Sequence, residues 1–216
     1  LFIAGLSYKI VAGVLALGVP TSIIGIILIL KHALPLNEYQ YKRIYSWLQP
    51  SKYADDAYQQ QNSIMAIGSG QLWGKGLNNS SIASMKNGNF ISEPQTDFIF
   101  AVVGEELGFI GCVIVIVLLL LIVFECILIA KNAKDLGGRL ICCGMAALIG
   151  FQSFINICVA TGLAPNTGTP LPFVSYGLTS LVSLFIGMGL VLNVGLQSST
   201  YNKELQKKEQ KKDAYF

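Results

Sequence analysis

One acidic residue stands at the border between a long polar stretch and a long apolar one. Asp97 is followed at once by Phe98, Ile99 and Phe100, and residues 107–130 carry a single charge in an otherwise apolar run. A carboxylate at the mouth of an apolar membrane segment is costly unless water, a partner or a chemical role accounts for it. We therefore predict that Asp97 is the centre of the chemistry of this chain.

Two further charged residues are candidates for the same site. On a continuous helix, Glu105 lies about 80° around from Asp97 and roughly one to two turns deeper, where it can line the same cavity. Lys75 lies among the glycines of residues 68–76, which predict tight backbone approach rather than regular structure. An ammonium group there is suited to meet a phosphate. Each has a plainer alternative, because an acid at a membrane boundary can be interfacial and a loop lysine can be solvated. Both alternatives stay open at this point.

The helix that would carry Asp97 is predicted to start at Ser92, because residues 92–95 fit a capping box. Asp97 then lies in the first turns, where the helix dipole favours a negative charge. Small residues share its face of this helix and let another helix or a lipid tail approach closely. These small residues are Ala101, Gly104, Gly108 and Gly111. In the following span, Gln152 and Asn156 lie one turn apart and predict hydrogen bonds between helices.

Membrane helices are the elements that must position these residues. The 216-residue chain is 53% apolar and only 12% charged, about half the charged share of a soluble domain. Apolar runs of spanning length predict an all-α polytopic membrane protein with about four complete transmembrane helices. These runs cover residues 10–30, 107–130, 140–163 and 178–196.

The chain divides into four parts by composition. Residues 1–30 hold the end of one span and a complete span, so the chain is predicted to be a fragment. Residues 31–97 form a large polar loop. Within it, residues 37–48 mix aromatic residues with Lys42 and Arg43 and predict an amphipathic, interfacial helix at the headgroup level. Residues 98–196 hold three spans and a segment rich in Pro and Gly at 162–177, where a helix must break and the backbone must line a cavity or be buried. Residues 197–216 form a basic tail.

Basic residues in the short loops predict the orientation. Lys131, Lys134 and Arg139, together with the tail lysines, are positive-inside signals. They place the C-terminus in the cytoplasm and residues 31–97 outside the membrane. Asp97 and the broken segment at 162–177 then face the same outer compartment.

The cysteines and the charge pattern exclude other classes of site. All five cysteines fall in apolar stretches, without His or Asp spaced as metal ligands, and predict small buried side chains. These cysteines are Cys112, Cys126, Cys142, Cys143 and Cys158. The net charge of +3 comes mostly from the tail, and no basic stripe is interleaved with aromatic residues, which argues against a nucleic-acid partner.

Three separated segments resemble the SEDS family, the RodA, FtsW and SpoVE proteins. They are IGSG with GKG within residues 67–76, QTDFIFA with GEELG within 95–108, and TGTPLPFVSYG at 167–177. The resemblance covers Leu1 to Leu196 and implies the C-terminal part of a fold of about ten spans. The sequence of residues 67–70 resembles RodA slightly more than FtsW. Leu178 departs from the family pattern, which usually has a second glycine there.

The resemblance implies a peptidoglycan glycosyltransferase of the bacterial cytoplasmic membrane. It would polymerise lipid II on the outer face, beside a class B penicillin-binding protein. The essential loop aspartate of the family maps onto Asp97, and a base at that position suits proton removal from an acceptor sugar hydroxyl. Inversion at the anomeric carbon is the expected outcome. The lipid pyrophosphate that leaves needs cations, which Lys75, a divalent ion or basic residues elsewhere could supply.

Substrate contacts are predicted for residues of the loop, the helix and the broken segment. They are Lys75, Thr96, Glu105, Pro170, Pro172, Ser175 and Tyr176. The lipid tail of the substrate would need an apolar groove open to the bilayer. Two alternatives remain, a lipid II flippase, since broken helices and polar residues within the membrane also suit transporters, and a scaffold of an elongation or division complex without enzymatic activity.

Overall fold

The computed structural model describes residues 8–30, 37–77 and 96–213. These residues form helices and no strand, which confirms the predicted all-α class. The helices are α1 (Tyr8–Leu30), α2 (Glu38–Leu48), α3 (Ala54–Ser69), α4 (Ile99–Lys131), α5 (Leu136–Ala160) and α6 (Leu178–Asp213). The predicted span end at Leu1–Leu6 and the capping box at residues 92–95 lie outside the described residues.

In the part of the chain that the structure describes, three helices are long and apolar enough to cross a membrane: α4, α5 and the part of α6 from Leu178 to Ser198. Large apolar side chains cover their outer surfaces, among them Phe124, Phe151 and Phe185, all more than half exposed. Such exposure suits contact with lipid and would be a liability in water. The chain is therefore a multi-pass membrane protein. The predicted first span also forms a continuous helix, α1, which tolerates Pro20 within it.

Small buried residues bring α4, α5 and α6 together. Cys126 and Ala130 of α4, Cys142 and Ala146 of α5 and Val191 of α6 form one buried cluster. Short side chains allow helix backbones to approach closely in a membrane, where packing rather than water exclusion drives association.

Helix α5 has a defined start and stop. The Asp135 carboxylate caps its first turn by accepting a backbone N–H at 3.1 Å. At the other end Gly162 has a φ of +78°. The amide of Leu163 donates to the Cys158 carbonyl at 2.7 Å and that of Gly162 to the Val159 carbonyl at 3.1 Å. This pair of bonds is a Schellman motif, which ends the helix and turns the chain away from its axis.

The two helices before α4 are held against the end of α5. Gln60 of α3 donates to the carbonyls of Val159 and Ala164 at 2.8 and 2.7 Å. Ser63 donates to Ala160 at 2.8 Å, and Trp47 of α2 donates to a carbonyl just past the end of α5. The last carbonyls of a helix lack intrahelical partners, so these side chains satisfy them. The amphipathic segment at 37–48 is indeed a helix, whereas α3 was not predicted as one.

Helix α4 is interrupted at Gly108, whose φ of 67° and ψ of −163° are not helical. Residues 70–76, which we call the strap, run into this interruption. The amide of Lys75 donates to the carbonyl of Glu105 at 2.9 Å, and the amide of Phe109 donates back to a strap carbonyl at 2.8 Å. The strap thus replaces hydrogen bonds that the interrupted helix cannot make with itself.

Glycines make this contact possible. A β-carbon on Gly70, Gly74 or Gly108 would lie 1.9, 2.2 or 2.4 Å from a backbone atom of the opposing segment, far inside van der Waals contact. The tight backbone approach predicted from the glycine-rich sequence is confirmed. The small residues along α4 were predicted to let another helix or a lipid tail approach closely, and a helix does so: Gly104 packs on Ile67 of α3, while the strap covers Gly108.

Candidate active site

Asp97 lies in a turn just before α4, whose first residue is Ile99. The prediction that it sits in the first turns of a helix is therefore wrong. Hydrogen bonds from distant elements hold this turn: Asn156 of α5 donates to the Asp97 carbonyl at 2.7 Å, and Ser175 donates to the Thr96 carbonyl at 2.6 Å. The backbone around the carboxylate is fixed by tertiary contacts rather than by a helix.

The broken segment, residues 162–177, contains no helix, as its prolines and glycines predicted. Asn156 also donates to the Thr169 carbonyl at 2.7 Å, and Gln152 donates to the Pro170 carbonyl at 2.9 Å. The prediction that these two amides bond between helices is wrong, because they bond to non-helical backbone. The Asn156 side chain therefore bridges the Asp97 turn and the broken segment, and Ser175 of that segment bonds to the same turn directly.

A polar cavity of about 420 Å³ opens beside Asp97. Its walls come from α2, from the first turns of α3, from the Asp97 turn and from the broken segment. The lining residues are Tyr39, Lys42, Arg43, Ser46, Asp55, Asp56, Tyr58, Gln59, Asp97 and Asn166. Carboxylates, cations, amides and aromatic rings in one hollow suit a ligand that is both charged and rich in hydroxyl groups.

The positive wall of this cavity is close to Asp97. A β-carbon placed on Gly168 would lie 3.5 Å from Oδ2 of Asp97 and 3.9 Å from both terminal guanidinium nitrogens of Arg43. Gly168 itself has a φ of +70°, and its amide donates to the Asn166 side chain at 3.1 Å. A carboxylate and a guanidinium therefore flank one glycine, with no side chain between them.

Lys75 and Glu105 form an ion pair away from this cavity. Nζ of Lys75 lies 2.9 Å from Oε1 of Glu105, and the Glu105 side chain is only 2% exposed. Neither residue lines the cavity beside Asp97. Sequence reasoning named both residues but did not pair them. Their geometry locks the strap to α4, and their predicted contact with substrate stays a prediction.

The other predicted binding residues are spread over the broken segment. Pro172 and Ser175 are buried, and Ser175 both donates to Thr96 and accepts the Leu171 amide at 2.6 Å. The Pro170 carbonyl accepts a hydrogen bond from the Gln152 side chain, as described above. Tyr176 is 73% exposed. Buried and hydrogen-bonded residues of this kind position the Asp97 turn, whereas Tyr176 alone presents its side chain outward.

A second hollow of about 490 Å³ lies between α4 and α5. Its walls include Val123 and Ile127 of α4 and Ala147 and Phe151 of α5, and no acid lines it. Proton transfer needs an acid or a base within reach of the substrate. Of these two cavities, only the polar one is lined by an acid that could take part in proton transfer.

Sequence reasoning missed the residues of α2 and α3 that complete the site. Lys42 and Arg43 were assigned to an amphipathic segment at the headgroup level, and Asp55 and Asp56 to an undivided loop. The signal in the sequence was the position of two adjacent basic residues, Lys42 and Arg43, on a predicted helix rich in aromatic residues. It did not reveal that this helix folds over Asp97.

Fold and site together define a multi-pass membrane protein with a polar, acid-bearing cavity at one end of its helices. The profile of the FtsW/RodA/SpoVE family, described as cell cycle protein, matches residues 1–200. The chain belongs to this family.

The relatives include members named for each branch. The chain is 42% identical over 161 residues to stage V sporulation protein E of Bacillus subtilis, covering 74% of this chain and 43% of the relative. It is 40% identical over 175 residues to the probable peptidoglycan glycosyltransferase FtsW of the same species, covering 81% and 42%. It is 33% identical over 208 residues to the peptidoglycan glycosyltransferase MrdB of Escherichia coli, covering 96% and 53%. The slight preference for RodA stays a prediction.

A solved structure shares the fold. It has a TM-score of 0.61 and 29% identity over 91% of this chain and 53% of the other, and its subject is structural coordination of polymerization and crosslinking by a peptidoglycan synthase complex. The chain spans about half the length of the relatives it matches.

Proposed function

We propose that the protein to which this chain belongs is a peptidoglycan glycosyltransferase that polymerises lipid II, with Asp97 as its general base. The observation that carries the proposal is the position of Asp97 in a polar cavity beside Arg43. Relatives named as peptidoglycan glycosyltransferases support the reaction class. A carboxylate in a fixed turn, with a cation close by, suits removal of a proton from a sugar hydroxyl.

The proposed reaction is a single displacement. The Asp97 carboxylate accepts the proton of an acceptor sugar hydroxyl while the hydroxyl oxygen attacks the anomeric carbon of the donor. The bond between that carbon and the lipid diphosphate breaks, and its electron pair leaves with the diphosphate. Attack from the opposite face inverts the anomeric centre. The proton on Asp97 then passes to water, which restores the base.

The diphosphate that leaves carries negative charge and is stabilised by cations. A divalent ion is one candidate. Within residues 8–30, 37–77 and 96–213, no group of three or more His, Cys, Asp or Glu side chains is arranged to hold a metal ion. The proposal therefore assigns no step to a metal ion and places the positive charge on side chains of the cavity.

The proposed setting follows the positive-inside pattern. Residues 31–97 lie outside the bacterial cytoplasmic membrane and the C-terminus lies in the cytoplasm, so the cavity faces the compartment in which peptidoglycan is assembled. The proposed partner is a class B penicillin-binding protein, which would crosslink the strands. The similar structure of a peptidoglycan synthase complex supports a partner of this kind.

The test replaces Asp97 in the full-length protein, purified with its partner and supplied with labelled lipid II. Asp97→Asn keeps the size of the side chain and removes the base, so glycan formation should fall at least roughly 100-fold. Asp135→Asn is the matched control, because Asn also caps a helix well and Asp135 lies at the start of α5. Its activity should stay at the level of the wild-type protein.

Three other results would overturn the proposal or part of it. Polymerisation that survives Asp97→Asn would remove Asp97 as the base. Transport of lipid II across vesicles by a wild-type protein that makes no glycan would favour the flippase. If neither activity is measured while the partner still binds, the protein would be a scaffold.

A further inference from the structure

We propose that Arg43 is the residue that binds the diphosphate of the lipid-linked substrate in the Asp97 cavity. The identity of the anion rests on the proposed function, whereas the anion-binding role rests on geometry alone. Earlier sequence reasoning placed Lys75 in this role and treated α2 only as a helix at the membrane surface.

The guanidinium of Arg43 is held in place before any ligand binds. Nη1 donates to the Asn166 carbonyl at 3.0 Å, Nη2 donates to the Tyr39 hydroxyl, and the guanidinium carbon lies 4.5 Å from the centre of the Tyr39 ring. Three contacts fix the plane of the fork. A fork that is already oriented loses little conformational freedom when it accepts an anion.

The partners of Arg43 are neutral. A carbonyl, a hydroxyl and a ring face form no ion pair with the guanidinium, and among the residues that the structure describes no carboxylate lies within salt-bridge distance of Arg43. The acids that line the same cavity, Asp55, Asp56 and Asp97, lie beyond that distance. The side chain is half-buried, so water only partly screens it. Two of its five N–H groups are used in these contacts, which leaves donors for the paired oxygens of a phosphate.

Lys75 differs on each of these points. Its ammonium group is paired with the buried carboxylate of Glu105 at 2.9 Å, and it does not line the cavity. Moving it to a phosphate would leave the Glu105 charge buried without that partner, which is costly. Between the two cations, Arg43 is the one whose charge is available to a ligand.

The position of Arg43 suits a leaving group. Arg43 and Asp97 flank Gly168, so an acceptor hydroxyl bound at the Asp97 carboxylate lies close to the cation that would receive the diphosphate leaving the donor. Lys42, one residue earlier, lines the same cavity and adds a second positive charge to the α2 wall. The anionic end of the substrate is therefore oriented toward α2.

The experiment measures binding separately from catalysis. The full-length protein in detergent micelles is titrated with a fluorescent polyprenyl diphosphate and, in parallel, with the matching polyprenol, which lacks the anion. Arg43→Gln should weaken diphosphate binding roughly 10- to 100-fold, as expected when charged hydrogen bonds are lost. Binding of the polyprenol should not change. Arg43→Lys keeps the charge without the fork and should lose less.

The matched control is Lys52→Gln. Lys52 also lies over a tyrosine ring, that of Tyr53, at 5.9 Å, but it is outside the cavity, so its loss should leave both affinities unchanged. Melting temperatures show whether each variant is folded, and Arg43→Lys carries the test if Arg43→Gln unfolds. In steady-state assays with lipid II, the loss should appear mainly in KM.

The outcomes separate this inference from the proposed function. Diphosphate affinity that is the same in the wild-type protein and in a folded Arg43 variant would overturn the inference, even if the protein polymerises lipid II. A fall in kcat with unchanged diphosphate affinity would overturn it as well and assign Arg43 to positioning of Asn166. Affinity that depends on Arg43 in a protein that makes no glycan would support the inference and reject the polymerase.

Discussion

The helical structure of the membrane segments is broken at two places, at Gly108 and at residues 162–177. The first break is closed by other parts of the chain, whereas the second is open to a cavity. The break at Gly108 is closed by the strap, with backbone hydrogen bonds and the ion pair of Lys75 with Glu105. The broken segment, residues 162–177, is instead held from behind by Asn156 and leaves a cavity of about 420 Å³ in front.

The difference lies in where the charges find their partners. In the closed break, a buried acid is satisfied by a cation of the same chain. At the open break, residues 162–177, Arg43 forms hydrogen bonds only with neutral groups among the described residues, and Asp97 lies on the other side of Gly168. Charges that a fold pairs internally stabilise it, whereas charges that it holds ready for a ligand mark a functional site. Both breaks carry glycine, proline or charge signals in the sequence, and only the contacts distinguish them.

Substitution of a glycine in the closed break should cause the largest loss of folding stability. Gly108→Ala places a methyl group 2.4 Å from the Gly74 amide nitrogen at a φ of +67°, so backbone must move. We expect a loss of more than about 4 kcal/mol of folding stability, because strain and overlap combine. The measurement is the yield of monodisperse full-length protein by size-exclusion chromatography.

Gly68→Ala is the control for this change. Gly68 lies in α3, and a β-carbon there meets nothing within 4 Å. Alanine is preferred over glycine in a helix by roughly 0.5–1 kcal/mol, so yield should hold or rise. Normal yield of Gly108→Ala would contradict the close docking of the strap.

The ion pair of the closed break should affect stability rather than catalysis. Lys75→Met removes the cation beside Glu105, whose side chain is 2% exposed. Breaking a buried pair from one side costs roughly 3–5 kcal/mol, and the 27% exposure of Lys75 places the expected loss at the lower end. Thermal melting of the full-length protein measures it.

The double variant Lys75→Met with Glu105→Gln separates the two roles. Replacing both charges should restore much of the melting temperature, because no buried charge is then left without its partner. The polymerisation rate per folded molecule should match the wild-type protein. A double variant that is stable but inactive would show that the pair contacts the substrate after all.

Much of the fold follows from composition. Apolar length predicted helices in the regions of α1, α4, α5 and α6, and the prolines and glycines of residues 162–177 predicted their break. These are local properties, because a run of apolar residues must satisfy its own backbone in a bilayer. The start of α4 was wrong for the converse reason. A capping pattern is local, but Asn156 and Ser175 hold the Asp97 turn by tertiary hydrogen bonds.

The site was only partly predictable. Asp97 was found from its position at a polarity border, which needs no partner to be noticed. The pairing of Lys75 with Glu105 spans 30 residues, and the contact of Arg43 with Asn166 spans 123. No periodicity within one helix reports such contacts. The first depends on the strap docking against α4, and the second on α2 folding back over the end of α5.

The smallest change tests the open break. Gly168→Ala adds a methyl group at ordinary contact distance, 3.5 Å from the Asp97 carboxylate, so nothing must move. The φ of +70° costs about 1–2 kcal/mol with alanine. Gly76→Ala is matched to it, because Gly76 has a φ of +92° and open space around it. Both variants should lose similar stability.

Only Gly168→Ala should lose activity, roughly 10- to 100-fold, because its methyl group occupies the space between the base and Arg43 where a reacting group must fit. The measurement is lipid II polymerisation by equal amounts of folded protein. Equal activity of the two variants would mean that the gap at Gly168 is not where the substrate reacts. A loss of activity in Gly168→Ala alone would show that the methyl group obstructs the site. Backbone strain would affect both variants, because both glycines have a positive φ, whereas only Gly168 lies beside the Asp97 carboxylate.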